Sequence, residues 1–190
     1  ARMSSRSVAV NSFVAVVVIV VGVSALVVLR SIPAIATAAR EARTAQGALA
    51  RASALWDAQG ISGAHAAVIE LASARETLTR AAERIESQAF LAYVPVAGRE
   101  RAAALNATRG AEHWVRGGHI LATIAADVDR ADTRFGGRSF RSLSGAEQAE
   151  ITAMVGSATL RLRTANAAFA TGDALLAQAH CPPSVHRFLP

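Results

Sequence analysis

Apolar positions along this chain fall into two regimes. From Val8 to Leu29 they are nearly continuous, with no charged residue and only Asn11, Ser12 and Ser24 as polar side chains. Beyond Ser31 they recur at three-, four- and seven-residue steps between charged and polar residues, the spacing of helices that each bury one stripe.

The first regime predicts a transmembrane helix over residues 8–30, with Val8, Phe13, Val18, Gly22 and Leu29 along it and a short tail, residues 1–7, before it. At 1.5 Å per residue such a helix spans roughly 30 Å, the thickness of a bilayer's hydrocarbon core. Its valine and isoleucine content disfavours helix in water. In lipid, however, an open strand leaves its backbone groups unpaired, so helix is the remaining form. Ala34-Ile35-Ala36 fits the small-x-small pattern of a signal-peptide cleavage site. The apolar core is nonetheless longer than the roughly 7–15 residues of a signal, which favours an uncleaved anchor. Arg2 and Arg6 before the span are nearly balanced by Arg30, Arg40 and Arg43 after it. Because a long trailing domain is translocated largely regardless of charge, we expect a short cytoplasmic N-terminus and an extracytoplasmic body.

The second regime predicts an alanine-rich helical domain over residues 31–180, with helices at about 33–58, 63–93, 99–135 and 145–180. Ser31-Ile32-Pro33 starts the first, whose stripe contains Leu49 and Trp56. Gly60-Ile61-Ser62-Gly63 ends it. Leu71, Leu78 and Ile85 carry the second, with Ala67, Ala74 and Ala81 between them. Pro95-Val96-Ala97-Gly98 breaks the chain before the third. In the third, Trp114 and Leu121 hold the seven-residue register, while Gly110 and Gly117 on the same face let another backbone come close. Gly136 and Gly137 open the longest loop. Ser144-Gly145-Ala146-Glu147 then reads as a capping box, and Val155, Leu162 and Phe169 fall on the stripe of the fourth helix. Thr171-Gly172-Asp173 is a point where that helix can be interrupted. Residues 181–190, opening Cys181-Pro182-Pro183, are expected to be irregular. The fold expected is all-α: one N-terminal transmembrane helix and an up-down, four-helix bundle-like domain with Trp56 and Trp114 as core anchors.

Composition adds a sign. The net charge is +6, and every basic residue is arginine. Such a balance attracts anionic surfaces, and Arg99, Arg101, Arg109, Arg116, Arg134, Arg138 and Arg141 are candidate anion contacts for lipid headgroups or an acidic polymer. Cys181 is the single cysteine, so no intrachain disulfide forms.

The anchor, two alanine-rich helices, the Val94-Pro95-Val96-Ala97-Gly98 break and further alanine-rich helices together resemble the amino-terminal region of bacterial envelope proteins classed as domain of unknown function 4012. The resemblance runs from Val8 to about Gln178 and implies an extracytoplasmic, membrane-anchored helical module. It implies no catalytic residues. In that family a further globular domain follows the helices, whereas this sequence stops at Pro190.

Chemistry is sparse. His180, Cys181 and His186 are the sole cluster of metal-ligand types, short of the four ligands a structural zinc needs and without a Cys-x-x-Cys-His motif for haem. His113 and His119, six residues apart on one helix, point to different faces. Arg134 to Arg138 reads Arg-Phe-Gly-Gly-Arg, a single copy of a pattern that occurs in repeats in RNA-binding tails, so no nucleic-acid partner is expected. Asn106-Ala107-Thr108 spells a glycosylation acceptor inside a predicted helix, a poor place for one. No nucleophile, base and orienting acid assemble from spacing, and there is no strand followed by a glycine-rich loop. No catalytic, cofactor or metal residues are assigned. The sequence therefore predicts a non-enzymatic, single-pass subunit that meets membrane lipid and other protein subunits of an envelope complex. Two alternatives are a ligand-binding ectodomain that uses the arginines and a stalk for an active domain beyond Pro190.

Overall fold

The computed structural model describes residues 33–93 and 95–180. The expected anchor over 8–30, the tail before it and the segment 181–190 with Cys181 and His186 lie outside the described residues. Among the described residues every long element is a helix, there is no strand, and no helix is long and apolar enough to cross a membrane.

Helix α1 is already formed at residue 33 and runs to residue 59. A 3-10 turn, Gly60–Gly63, leads into α2, Ala64–Ser87. Gly63 is buried where the two helices meet, and a Cβ there would sit 2.6 Å from the Leu55 carbonyl oxygen, so only glycine allows this tight a corner. A second 3-10 stretch, Ala89–Tyr93, precedes α3, Pro95–Phe135. The second helix thus ends earlier and the third begins earlier than periodicity suggests. Pro95 heads α3, where its missing N–H costs little. Gly136 at φ 54 closes α3 by donating its N–H to the Asp132 carbonyl at 2.8 Å, a left-handed helix stop. A turn containing the 3-10 segment Phe140–Ser142 connects to α4, Gly145–His180, which continues unbroken through Thr171-Gly172-Asp173.

Neighbouring helices run antiparallel, as their cross-links show. Arg51 meets Glu70 and Arg84 meets Glu41 between α1 and α2. Thr79 donates to Glu112 between α2 and α3, while Arg161 reaches Asp127 between α3 and α4. The core is slim because alanine dominates it. Ala45, Ala48 and Ala52 of α1 pack with Ala67, Leu71, Ala74 and Leu78 of α2 and with Val115 and Ala122 of α3. Ala38, Ala81 and Ile85 extend it toward the open end of the α1–α2 hairpin, against Leu105. Leu49 is half-buried beside the main cluster. Helix α3 is shared: α2 packs along one side of it and α4 along another.

Two expectations about the core need correction. Trp56 and Trp114 are not buried anchors; they are 44% and 46% exposed. Trp56 lies near the end of α1, past the last buried alanine, Ala52. Trp114 is displaced because α4 approaches α3 through glycines, which brings the backbones too close for an indole between them.

The stripe of α4 is corrected in the same way. Val155 and Leu162 are exposed, as is Leu121 opposite them on α3. The face turned to α3 is carried by Met154, Ala158, Arg161, Ala165, Ala168 and Gly172, with Phe169 half-buried at its edge. A seven-residue repeat can be divided three-then-four or four-then-three, and both readings share Ile151, Ala158 and Ala165. The division adopted turns Ala168 and Gly172 inward together with Met154 and Arg161, and leaves Val155 and Leu162 outside.

Candidate interaction surface

The α3–α4 hairpin has two dissimilar edges. Along one, ion pairs join the helices: Arg161 reaches Asp127 at 2.6 Å, Arg130 also pairs with Asp127, and Arg134 pairs with Glu150. One residue further along each helix, turned by about 100°, the character reverses. Trp114, Leu121 and Val128 of α3 recur every seven residues, as do Val155, Leu162 and Phe169 of α4. Trp114 and Phe169 touch edge to face, with ring centroids 4.9 Å apart at 62°. Seven residues forward on α3 and seven back on α4, antiparallel pairing sets Leu121 opposite Leu162. One further step sets Val128 opposite Val155. Ala125, Thr159 and Asn166 between these layers carry no charge, Gly118 turns toward Leu71 of α2, and Asp173 stands at the end of the row.

This edge is held in place from beneath. Gly110, Gly117 and Gly172 are buried in the seam. A Cβ on Gly117 would lie 2.7 Å from the Phe169 ring, so the aromatic lies across a bare backbone. Trp114 donates its indole N–H to Asp173 at 2.9 Å, which fixes the ring and satisfies its polar atom. Val128 at 43%, Val155 at 56% and Leu162 at 47% exposure form an apolar edge on a surface otherwise rich in arginine and glutamate. Neither Gly172 nor Asp173 stood out as a contact residue in the sequence. The small residue at the level of Gly110 on the facing helix was the signal available, and it required the pairing to be known.

The arginine candidates do not converge. Arg101 is spent within the fold: its Nε donates to the Ile85 carbonyl at 3.0 Å and its Nη2 to the Glu86 carbonyl at 2.9 Å, capping the end of α2. Arg109 pairs with Glu86, and Arg134 with Glu150. Arg138 donates to Glu147 at 2.7 Å and to the Phe135 carbonyl at 3.1 Å. Arg99, Arg116 and Arg141 are exposed but belong to the start of α3, its middle and the following turn. The seven candidate anion contacts are thus spread over separate parts of the fold. Negative helix termini and neighbouring carboxylates in the chain itself hold four of them.

Histidine chemistry is similarly dispersed. His119 lies on α3 beside Arg75, Glu76 and Thr79 of α2. Burial first, and the Arg75 charge second, hold its imidazole below its ordinary pKa of 6.5. His113 is half-buried one turn and a half away. Among the described residues no group of three histidine, cysteine or acidic side chains stands close enough to share a metal ion. No protein-family model, curated protein or solved structure matches this chain.

Proposed function

We propose that the chain is a non-catalytic, single-pass membrane protein whose extracytoplasmic helical domain serves as a structural or interaction subunit of a membrane or cell-envelope complex. The observation that carries this reading is one of sequence order. An uncharged apolar stretch of bilayer length, Val8 to Leu29, leads within a few residues into α1, helical from residue 33, the first residue described. The apolar edge of the α3–α4 hairpin supports the interaction part, since large exposed apolar patches mark contact sites on proteins that are otherwise charged outside. The layout resemblance to bacterial envelope proteins supports the extracytoplasmic side.

The test is fractionation with protease access. Expressed whole, the protein is expected to stay with membranes through alkaline carbonate extraction, and in intact spheroplasts its helical body is expected to be digested from outside. A full-length chain recovered in the soluble fraction overturns the anchor, and a body protected until the membrane is broken overturns its sidedness. The arginine-based ectodomain reading is weaker, because internal partners occupy Arg101, Arg109, Arg134 and Arg138.

A further inference from the structure

We propose that a groove between α1 and α3, at the end of the domain where α1 begins, takes up an acyl chain of a bilayer phospholipid. The inference rests on the anchor reading above and gives the membrane a second point of contact with the chain.

Three observations identify the occupant. The first is place. Helices α1 and α3 both run antiparallel to α2, so they start at the same end of the domain, and the groove lies at that end. Ile35 of α1 and Ala97 of α3 line the part nearest the helix starts, over buried Ile85 and Leu91. A helix carried on from Leu29 reaches Ile35 in about 9 Å, which sets this part of the groove against the headgroup layer. Tyr93, exposed in the 3-10 turn that supplies Leu91, is of the residue type that settles at that level.

The second observation is chemistry. Ala39 and Ala42 on the α1 side and Ala104 and Ala107 on the α3 side offer only methyl groups. Polar side chains of the lining are engaged within the fold: Arg101 with the α2 carbonyls, Thr108 Oγ1 with the Ala104 carbonyl and Gln88 with Ser87. Glu100 is exposed. An extended peptide laid here would bring amide groups that find few partners, at a cost for each one left unpaired. A methylene chain brings none.

The third is size. The groove encloses about 560 Å³. A saturated chain of about sixteen carbons occupies on the order of 400 Å³ at close-packed density, so one such chain fits whole. Three turns of peptide helix, about 10–12 Å across, occupy on the order of 1,500 Å³ and would leave most of that volume outside.

The closing experiment places the full-length chain in phosphatidylcholine vesicles doped with a phosphatidylcholine whose acyl chain ends in a photoactivatable diazirine. In the bilayer that end of the lipid lies near the midplane, about 15 Å below the headgroups, so it labels the helical domain only where a chain has been drawn up. Labelled peptides are expected from residues 33–45 and 85–108 as well as from 8–30. Ala42→Trp with Ala104→Trp, both at exposed positions, fills the groove. It is expected to cut the label on 33–45 and 85–108 at least about 10-fold at unchanged helical circular dichroism. Ala54→Trp, near the far end of α1, is expected to change nothing. Should the double variant lose helix, a photocrosslinking amino acid at Ala39 decides alone: attachment to lipid is expected, and attachment to residues 181–190 or to a second chain overturns the proposal. Label on 8–30 alone, or label on the domain indifferent to a folded double variant, overturns the proposal and leaves the anchor standing. Label on no segment, with the chain in the soluble fraction, overturns the anchor reading and this one with it.

Discussion

Gly110 of α3 and Gly172 of α4 meet backbone to backbone. A Cβ on Gly110 would lie 3.0 Å from the Gly172 carbonyl oxygen, and one on Gly172 would lie 2.9 Å from the Gly110 oxygen. This mutual contact sets how closely the last helix lies on the third, and therefore where Trp114 and Phe169 must go.

Gly172→Ala is accordingly expected to destabilise the fold. The added methyl would meet Trp114 Cδ1 at 2.5 Å as well as the Gly110 oxygen, and backbone cannot swing aside as a flexible side chain can. Overpacking of this kind costs about 1–3 kcal/mol, which outweighs the roughly 1 kcal/mol by which alanine favours a helix. Gly156→Ala is the matched control, since nothing lies within 4 Å of its added carbon. It is expected to stabilise by up to about 1 kcal/mol. Urea unfolding of the two variants should shift in opposite directions; a stabilising Gly172→Ala would mean the helices are not in contact there.

Arg101 ties the end of α2 to the start of α3, and its removal should be felt at that end of the hairpin. Its two donors reach successive carbonyls at the C-terminus of α2, those of Ile85 and Glu86, the first of which also accepts the Gln88 N–H at 3.3 Å. Arg101→Ala is expected to cost about 1–2 kcal/mol, the worth of a charge-assisted bond discounted for partial exposure. Arg101→Lys should recover only part, because an ammonium lacks the fork that spans two oxygens. Hydrogen exchange over Ser87–Tyr93 should accelerate in the alanine variant; unchanged exchange there would remove Arg101 from this role.

The helical class and the capping box at Ser144 were legible because each depends on neighbours in sequence. The stripe of α4 was less so. Val155 and Leu162 satisfy a helical period as well as Met154 and Arg161 do, and only the facing helix decides between them. Sequence periodicity locates a stripe to within one residue, about 100° of helix rotation, and here that residue separates core from surface. Large size misled at Trp114, where an aromatic that buries well in principle was set aside by the glycines that close the seam. Arg101 was hidden for a related reason: the carbonyls it serves belong to another helix.

His119 gives the fold a dependence on mild acid. Its imidazole is held below 6.5 in the folded chain by burial and by Arg75, with Glu76 nearby, so the folded state binds fewer protons than the unfolded one as pH falls. The unfolded chain then gains by protonation, and stability present above the ordinary histidine value is lost as pH drops through the folded one. His119→Gln is expected to flatten the decline in stability between about pH 7 and pH 5. Urea midpoints that fall in parallel for both proteins across that range would show that His119 does not contribute.

At stronger acid the start of α4 should respond. Glu147 accepts the Ser144 backbone N–H at 2.8 Å while Ser144 Oγ accepts the Glu147 N–H at 3.3 Å, and Arg138 donates to the same carboxylate. The Ser144 N–H foremost, then Arg138 and the Ser144 hydroxyl, hold Glu147 at a pKa of about 2 against an ordinary 4.5. A depressed carboxylate contributes stability above its unfolded value and loses it as pH falls through the folded one, so the contribution fades between 4.5 and about 2. Glu147→Gln keeps the reach to the Ser144 N–H but not the charge facing Arg138. It is expected to be less stable than the native chain at pH 6 and to converge with it near pH 2. Ser144→Ala removes the reciprocal bond instead and should cost about 1 kcal/mol. That loss should persist at low pH, because the hydroxyl carries no proton equilibrium in this range. Thermal unfolding of the three proteins from pH 6 to pH 2 separates the two halves of the cap. A Gln variant that stays parallel to the native curve would show that the charge on Glu147 does nothing for the helix start.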